Sequence, residues 1–229
     1  MSDAPVSIEG LIRGLNPPQK EAVIYRGGPL LVLAGAGSGK TRVITVRIAK
    51  LIEEGVPAAG ILAITFTNKA AAEMRERVSG VVGATEVSQI TLSTFHSLGL
   101  MILQRDGHLI GIDKPITILD AADQTSLVRR ILKRLNVDPN RHDPRIFLSA
   151  ISDARHAQLT PDAIGRQPGR RLTGRVFAEY EESKRAFRVI DFDDLLLAPL
   201  KLFKAHPECL KKWQERYAHI LVDEFQDTN

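Results

Sequence analysis

Eight consecutive residues carry the sharpest chemical signal in this sequence: Ala34-Gly35-Ala36-Gly37-Ser38-Gly39-Lys40-Thr41. The β-prone run Leu30–Leu33 leads into them and an amphipathic stretch follows at once. Strand, glycine-rich loop, Gly-Lys-Thr and helix, in that order, make the context of a P-loop. Glycine tolerates backbone angles that turn successive N–H groups onto one phosphate, so Ala36, Gly37, Ser38 and Gly39 form the expected cradle. The start of the following helix adds its positive dipole end. Lys40 would reach the β- and γ-phosphates, and the Thr41 hydroxyl would sit on Mg2+. Ala34 stands where the G-x-x-x-x-G-K-[ST] pattern opens on glycine, a departure that is tolerable where the residue only ends a strand. The competing reading is a glycine-rich turn with an incidental lysine. The order of all eight residues weighs against it.

A nucleotide hydrolase also needs carboxylates at the end of another hydrophobic strand, and Ile220-Leu221-Val222-Asp223-Glu224 supplies two. Asp223 would hold the Mg2+ shell, while Glu224 would orient and deprotonate the attacking water. Transfer to a substrate hydroxyl would make little use of a second carboxylate poised for water, so the pair argues for hydrolysis. Taken alone, the same residues also read as a solvated acidic strand end.

The elements that must position these groups alternate in type. Short β-prone runs stand at Leu30–Ala34, Ile61–Phe66, Ile90–Thr94 and Ile220–Val222. Helical patterns separate the first three, which reads as βαβαβ and a parallel sheet. Residues 41–54 place Ile44, Ile48, Leu51 and Ile52 on one face and stop at Gly55; residues 69–82 place Met74 and Val78 four apart. From about residue 109 to 189 the pattern becomes basic amphipathic helix, as at residues 124–135 and 175–187, broken at Asp138-Pro139, Asp143-Pro144 and Gln167-Pro168-Gly169. No β-rich run recurs in that stretch. The expected architecture is one α/β domain interrupted by an all-helical insertion: residues 1–108, then 109–190, then a return over 191–229.

Composition excludes several classes. With 229 residues, 44% hydrophobic and 25% charged, the chain has the balance of a soluble globular protein. One cysteine, Cys209, rules out an internal disulfide and a cysteine-based zinc site, and fits a reducing compartment such as the cytoplasm. The start Met1-Ser2-Asp3-Ala4-Pro5 shows no secretory signal, and no apolar run approaches the roughly 20 residues of a membrane span. His142, His156, His206 and His219 lack ligand-like spacing with carboxylates, so no protein-bound zinc is expected. Trp213 and Tyr217, four apart, read as a helix face meeting the core. The net charge of +4 is unevenly spread: Arg129 to Arg188 holds 14 Lys/Arg against 7 Asp/Glu, a local +7, inside a slightly acidic frame. That segment reads either as a polyanion-facing module or as ordinary solvated helix surface.

Put in order, the motifs resemble those of superfamily 1 DNA helicases of the UvrD/Rep/PcrA type. Gln19, in Leu15-Asn16-Pro17-Pro18-Gln19, looks like the family's adenine-reading glutamine. Residues 34–42 are similar to motif I and Thr65-Phe66-Thr67-Asn68-Lys69-Ala70-Ala71 to motif Ia. Ser93-Thr94-Phe95-His96-Ser97 resembles motif Ib, Asp191-Phe192-Asp193-Asp194-Leu195 motif Id, and Asp223-Glu224-Phe225-Gln226-Asp227-Thr228-Asn229 motif II. The resemblance covers the whole chain. It implies a RecA-like domain 1A carrying an inserted helical domain 1B, ATP and Mg2+ as cofactors, and 3′–5′ translocation on single-stranded DNA with unwinding at a duplex junction, in DNA repair or replication. It also implies that Gln19 reads the adenine edge and that Arg42 lies beside the nucleotide. Asn68-Lys69 begins like a guanine-reading N-K-x-D motif, but Ala71 replaces the aspartate, so the nucleotide reads as ATP rather than GTP.

For DNA the residue to single out is Phe66. At a strand end it would offer its face to an unstacked base, a contact worth roughly 1–3 kcal/mol per base and indifferent to sequence. The alternative is that Phe66 caps the core beneath the sheet. Thr67, Asn68, Thr94 and His96 have the chemistry to bond phosphates or sugars, although a lone histidine such as His96 is usually structural. This sequence stops with motif II at Asn229, and the family's motifs III to VI and second RecA-like domain do not follow in it. The chain alone is therefore expected to be nearly inert as a motor, and an unpaired sheet edge would favour self-association. Two other readings are a non-catalytic DNA-binding or partner module that holds ATP structurally, and a nucleotide kinase or GTPase, which lacks its guanine motif here.

Overall fold

The computed structural model describes residues 7–228; Met1-Ser2-Asp3-Ala4-Pro5 and Asn229, both used above, lie outside them. In chain order the elements are α1 (Ile8–Arg13), α2 (Pro17–Ile24), α3 (Lys40–Glu53), β1 (Ile61–Thr65), α4 (Asn68–Val82), α5 (Ala84–Gln89), β2 (Thr91–Thr94) and α6 (Phe95–Asp106). There follow β3 (Thr117–Ile118), α7 (Ala121–Arg134), α8 (Pro144–His156), α9 (Pro161–Gly165), α10 (Arg171–Phe187), β4 (Val189–Ile190), α11 (Phe192–Ala205), α12 (Pro207–Arg216) and β5 (His219–Val222). The fold is mixed α/β with a parallel sheet. It divides into two compact units. One takes in the described residues up to Leu98 and from Leu210 onward; the other is Gly99–Cys209.

The first unit is built on a three-stranded parallel sheet in the order β2-β1-β5. Central β1, Ile-Leu-Ala-Ile-Thr, is buried along its whole length, as a strand covered on both faces must be. Leu62 pairs with Thr91 on one side and with Ile220 on the other. Ile48 and Leu51 of α3, Met74 and Val78 of α4, and Ile61 and Ala63 of β1 close one core. The apolar spacing read on α3 and α4 thus packs as expected. Trp213 and Tyr217 are buried with their rings 6.0 Å apart, a core face as read.

The strand expected at Leu30–Ala34 does not form: residues 29–35 carry neither strand nor helix. A strand exists only as a ladder with a partner, and neither pairing of the sheet takes in this run. Its side chains consequently face solvent, Leu33 at 87% exposure.

The second unit is helical apart from the two-residue parallel pair β3–β4, with Thr117 opposite Val189, which the sequence reading did not anticipate. Leu127, Ile131 and Leu132 of α7, Phe147 and Ile151 of α8, Ile164 of α9 and Val176 and Phe177 of α10 form its main core. Each such fully buried side chain contributes roughly 1.5–3 kcal/mol. Asp143 caps α8 just ahead of Pro144, so the break read at Asp143-Pro144 is a helix start; Thr160 caps α9 just ahead of Pro161 in the same way, a start the sequence reading did not single out. Among the described residues no helix is long and apolar enough to cross a membrane.

Candidate functional site

The glycine-rich loop takes the backbone shape its composition allows. Gly37 and Gly39 have φ of +73° and +86°, a region where a side chain would be strained. Ser38 closes the turn by donating from its N–H (3.3 Å) and its hydroxyl (2.7 Å) to the Gly35 carbonyl. Gly39 is the N-cap of α3, so Lys40 and Thr41 are its first residues. Lys40 Nζ donates to the Ala34 carbonyl at 3.3 Å and lies 3.6 Å from Glu224 Oε1. Lysine and acidic strand end, distant in sequence, thus meet directly.

Gln19 is held by the N-terminus of α2. The Asn16 side chain accepts from Gln19 N, and the Gln19 side-chain oxygen accepts from Asn16 N, a reciprocal cap that fixes the residue. Its Nε2 is left to donate to the Ser38 carbonyl at 2.8 Å, so the glutamine touches the phosphate loop itself. Arg42 is exposed, with its guanidinium beside Gly14.

At the end of β5, Asp223 N donates to the Ile64 carbonyl (2.9 Å), which carries the strand register one residue further. The buried Asp223 carboxylate accepts from Glu224 N, and its Oδ2 lies 3.5 Å from Thr41 Oγ1. Glu224 adopts a left-handed backbone, φ +51°, a costly conformation for a non-glycine residue and one that concentrates at functional positions. Gln226 Nε2 donates to Glu224 Oε2 at 2.6 Å. That bond first, and the Lys40 charge second, hold the Glu224 carboxyl below the usual glutamate range. Gln226 was read only as part of a motif; its spacing two residues after the glutamate was the available signal. A hydroxyl and a carboxylate side by side are the hard oxygen donors Mg2+ takes, with phosphate and water oxygens completing its shell. The residues present fit that ion.

The residues read for DNA lie at the ends of β1 and β2. Phe66 is 38% exposed, and its ring meets Phe95 at 5.5 Å between centroids and 60° between planes. Thr67 caps α4 by accepting from Ala70 N, and it and Asn68 are exposed. Thr94 is buried, its hydroxyl accepting from Ser97 N and donating to Ser97 Oγ. His96 is exposed.

The second unit holds a buried ionic cluster that sequence reading missed. Arg155 of α8 and Lys184 of α10, 5% and 4% exposed, both bond Asp191, which is 3% exposed; each also bonds Asp194. Tyr180 Oη adds a donor to Asp191 at 3.0 Å. Asp191 and Asp194 form the capping box of α11. Burial would raise the Asp191 pKa, but Lys184 and Arg155 outweigh it and drive it well below the aspartate range. Burial would likewise lower Lys184, yet Asp194 and Asp191 raise it. In the sequence Arg155 and Lys184 look like any other charge of a basic helical stretch; the Asp-x-x-Asp capping spacing was the one hint.

Comparison with known proteins finds relatives over nearly the whole chain. A family model described as UvrD/REP helicase N-terminal domain matches residues 15–229. Over 223 residues the chain is 47% identical to ATP-dependent DNA helicase PcrA of Bacillus subtilis (strain 168), covering 96% of this chain and 30% of that protein. It is 42% identical over 228 residues to the PcrA helicase of Leuconostoc citreum, covering 98% of this chain and 30% of the relative. For that of Staphylococcus epidermidis, identity is 43% over 226 residues, covering 97% and 31%. The chain thus spans about 30% of the length of the curated relatives it matches.

Proposed function

The chain belongs to the UvrD/REP helicase family, matching its N-terminal domain, and from that premise we propose that it is the ATP- and single-stranded-DNA-binding portion of an ATP-dependent 3′–5′ DNA helicase serving DNA repair or replication. The observation that carries this reading is the meeting of Lys40 with Glu224 and of Thr41 with Asp223 at one end of the sheet.

In this reading the N–H groups of Ala36, Gly37, Ser38 and Gly39 wrap the phosphates, Lys40 leaves Glu224 for the β/γ-phosphates, and Gln19 reads adenine from beside the loop with Arg42 nearby. Thr41 and Asp223 hold Mg2+, partly through water. When bound, that ion neutralises charge on the phosphate oxygens. Glu224, its carboxyl kept ionised, orients a water and takes its proton. Phe66, backed by Phe95, stacks on an unstacked base, while Thr67, Asn68 and His96 position the backbone. Thr94 acts in this reading through the helix start it caps and that carries His96.

We assign residues 1–108 and 191–229 to a RecA-like domain and 109–190 to its helical insertion, and place the protein in the cytoplasm, in keeping with its buried free Cys209. Alone, one lobe cannot alternate between closed and open on ATP, so the chain is nearly inactive as a motor. The exposed apolar run Leu30–Leu33, with its unpaired backbone, favours association between copies. Light scattering at high concentration is expected to show dimers or larger species, and a pure monomer would contradict this.

Anisotropy of a labelled oligothymidylate, with and without Mg2+ and a non-hydrolysable ATP analogue, tests the functional reading. A nucleotide-dependent DNA affinity is expected. An affinity indifferent to nucleotide would instead identify a non-catalytic DNA-binding module.

A further inference from the structure

Both polar atoms of the Gln19 carboxamide are held by partners that can bond in one sense only. Its Oε1 accepts from the Asn16 backbone N–H at 3.0 Å, and its Nε2 donates to the Ser38 carbonyl at 2.8 Å. A backbone N–H cannot accept and a carbonyl cannot donate, so the amide takes a single orientation: oxygen toward the start of α2, nitrogen toward the phosphate loop. A carboxamide has two lone pairs and two N–H groups. One of each is used, and the other lone pair and N–H have no partner among the described residues.

The Asn16 side chain is what fixes this orientation. Pro17 and Pro18 open α2 and carry no N–H, so Gln19 N is the first donor that the helix start must satisfy. Asn16 Oδ1 accepts from it at 3.0 Å, which brings the Gln19 side chain back onto the Asn16 N–H. The frame beneath is firm. Val23 of α2 and Val46 of α3 are buried in one cluster with Leu15, and Arg47 of α3 donates to the Val23 carbonyl at 2.6 Å. On the loop side the fit depends on Gly39, where a Cβ would come within 2.9 Å of Gln19 Nε2.

An amide that presents one acceptor and one donor has a definite complement among the purines. Adenine offers the N6 donor beside the N7 acceptor, whereas guanine offers two acceptors, O6 and N7. A carboxamide free to rotate could turn its nitrogen to O6 and relieve the clash of two oxygens. One pinned at both atoms cannot. Resting on the adenine reading of Gln19 proposed above, we infer that Asn16 is a positioning residue for base selection: by holding the Gln19 carboxamide in one orientation against the phosphate loop, it makes the site prefer adenine to guanine nucleotides.

The test measures binding of ATP, GTP and inorganic tripolyphosphate, each with Mg2+, by calorimetry on the wild-type chain and on Asn16→Gly, Asn16→Ser and Gln19→Ala. Glycine is itself an accepted N-cap, so Asn16→Gly removes the side-chain acceptor while the start of α2 survives; serine restores an acceptor. Two hydrogen bonds to the base should give wild type a preference for ATP over GTP of about tenfold or more. Asn16→Gly is expected to cut that preference to about twofold by weakening ATP alone, with tripolyphosphate binding unchanged, and Asn16→Ser to recover it. A preference that persists in Asn16→Gly while Gln19→Ala abolishes it would overturn the inference and leave the adenine reading of Gln19 standing. A preference that survives Gln19→Ala, or is absent from wild type, would remove both. Equal losses for all three ligands in Asn16→Gly would also overturn the inference, because Asn16 would then serve only to hold the fold.

Discussion

Thr41 and Asp223 are 182 positions apart in sequence, yet the threonine Oγ1 lies 3.5 Å from the aspartate Oδ2. Parallel pairing of β5 with β1 produces this meeting: Asp223 continues the ladder onto the Ile64 carbonyl, and Thr41 is delivered by the first turn of α3. The nucleotide chemistry proposed for this chain depends on that one convergence.

Removing the lysine beside it tests the phosphate loop. Lys40→Ala deletes a charge-assisted contact of about 1.5–3 kcal/mol, so triphosphate affinity should fall by about tenfold to a hundredfold. Because Lys40 bonds only a loop carbonyl and an exposed glutamate, the circular dichroism spectrum should not change. Calorimetry finding wild-type ATP affinity would reject the phosphate-loop assignment.

Phe66→Ala separates stacking from core packing. With the ring 38% exposed and resting on Phe95, truncation should leave the thermal midpoint nearly unchanged. Single-strand affinity should drop by roughly 1–3 kcal/mol. Large destabilisation with unaltered DNA binding would return Phe66 to the core.

The ionic cluster of the second unit predicts a pH profile. Asp191 has its pKa depressed in the folded state, so its contribution is complete above the ordinary aspartate range and is lost as pH falls below about 4. Lys184 is raised, so its contribution is complete below about 10.4 and is lost only as pH climbs through its higher folded value. Stability in urea should be flat from about pH 5 to 9 and fall on the acid side. Arg155→Ala leaves Asp191 buried with a partner missing and should cost about 3–5 kcal/mol. An unshifted urea midpoint for this variant would show that the cluster is not holding α8, α10 and α11 together.

Local chemistry was the legible part of the sequence. Ala34–Thr41 and Asp223-Glu224 could be read because a handful of adjacent residues specify a loop or a strand end, and α3 and α4 because their apolar spacing is helical. What depended on partners was not legible. Leu30–Leu33 has strand composition but no ladder to join, so it stays irregular and exposed. Arg155 and Lys184 were read only as part of a basic stretch, polyanion-facing or solvated, because only the packing of three helices reveals that they are buried. The Thr94 hydroxyl, read as a DNA contact, is engaged at the start of α6, a bond to Ser97 that spacing alone did not single out.

The most direct measurement is steady-state ATP turnover by the 229-residue chain, with and without single-stranded DNA, beside Lys40→Ala and Glu224→Gln. The account predicts that the wild-type chain binds ATP yet turns over negligibly even with DNA present. DNA-stimulated turnover that both substitutions abolish would contradict it, because this lobe would then complete its own catalytic site.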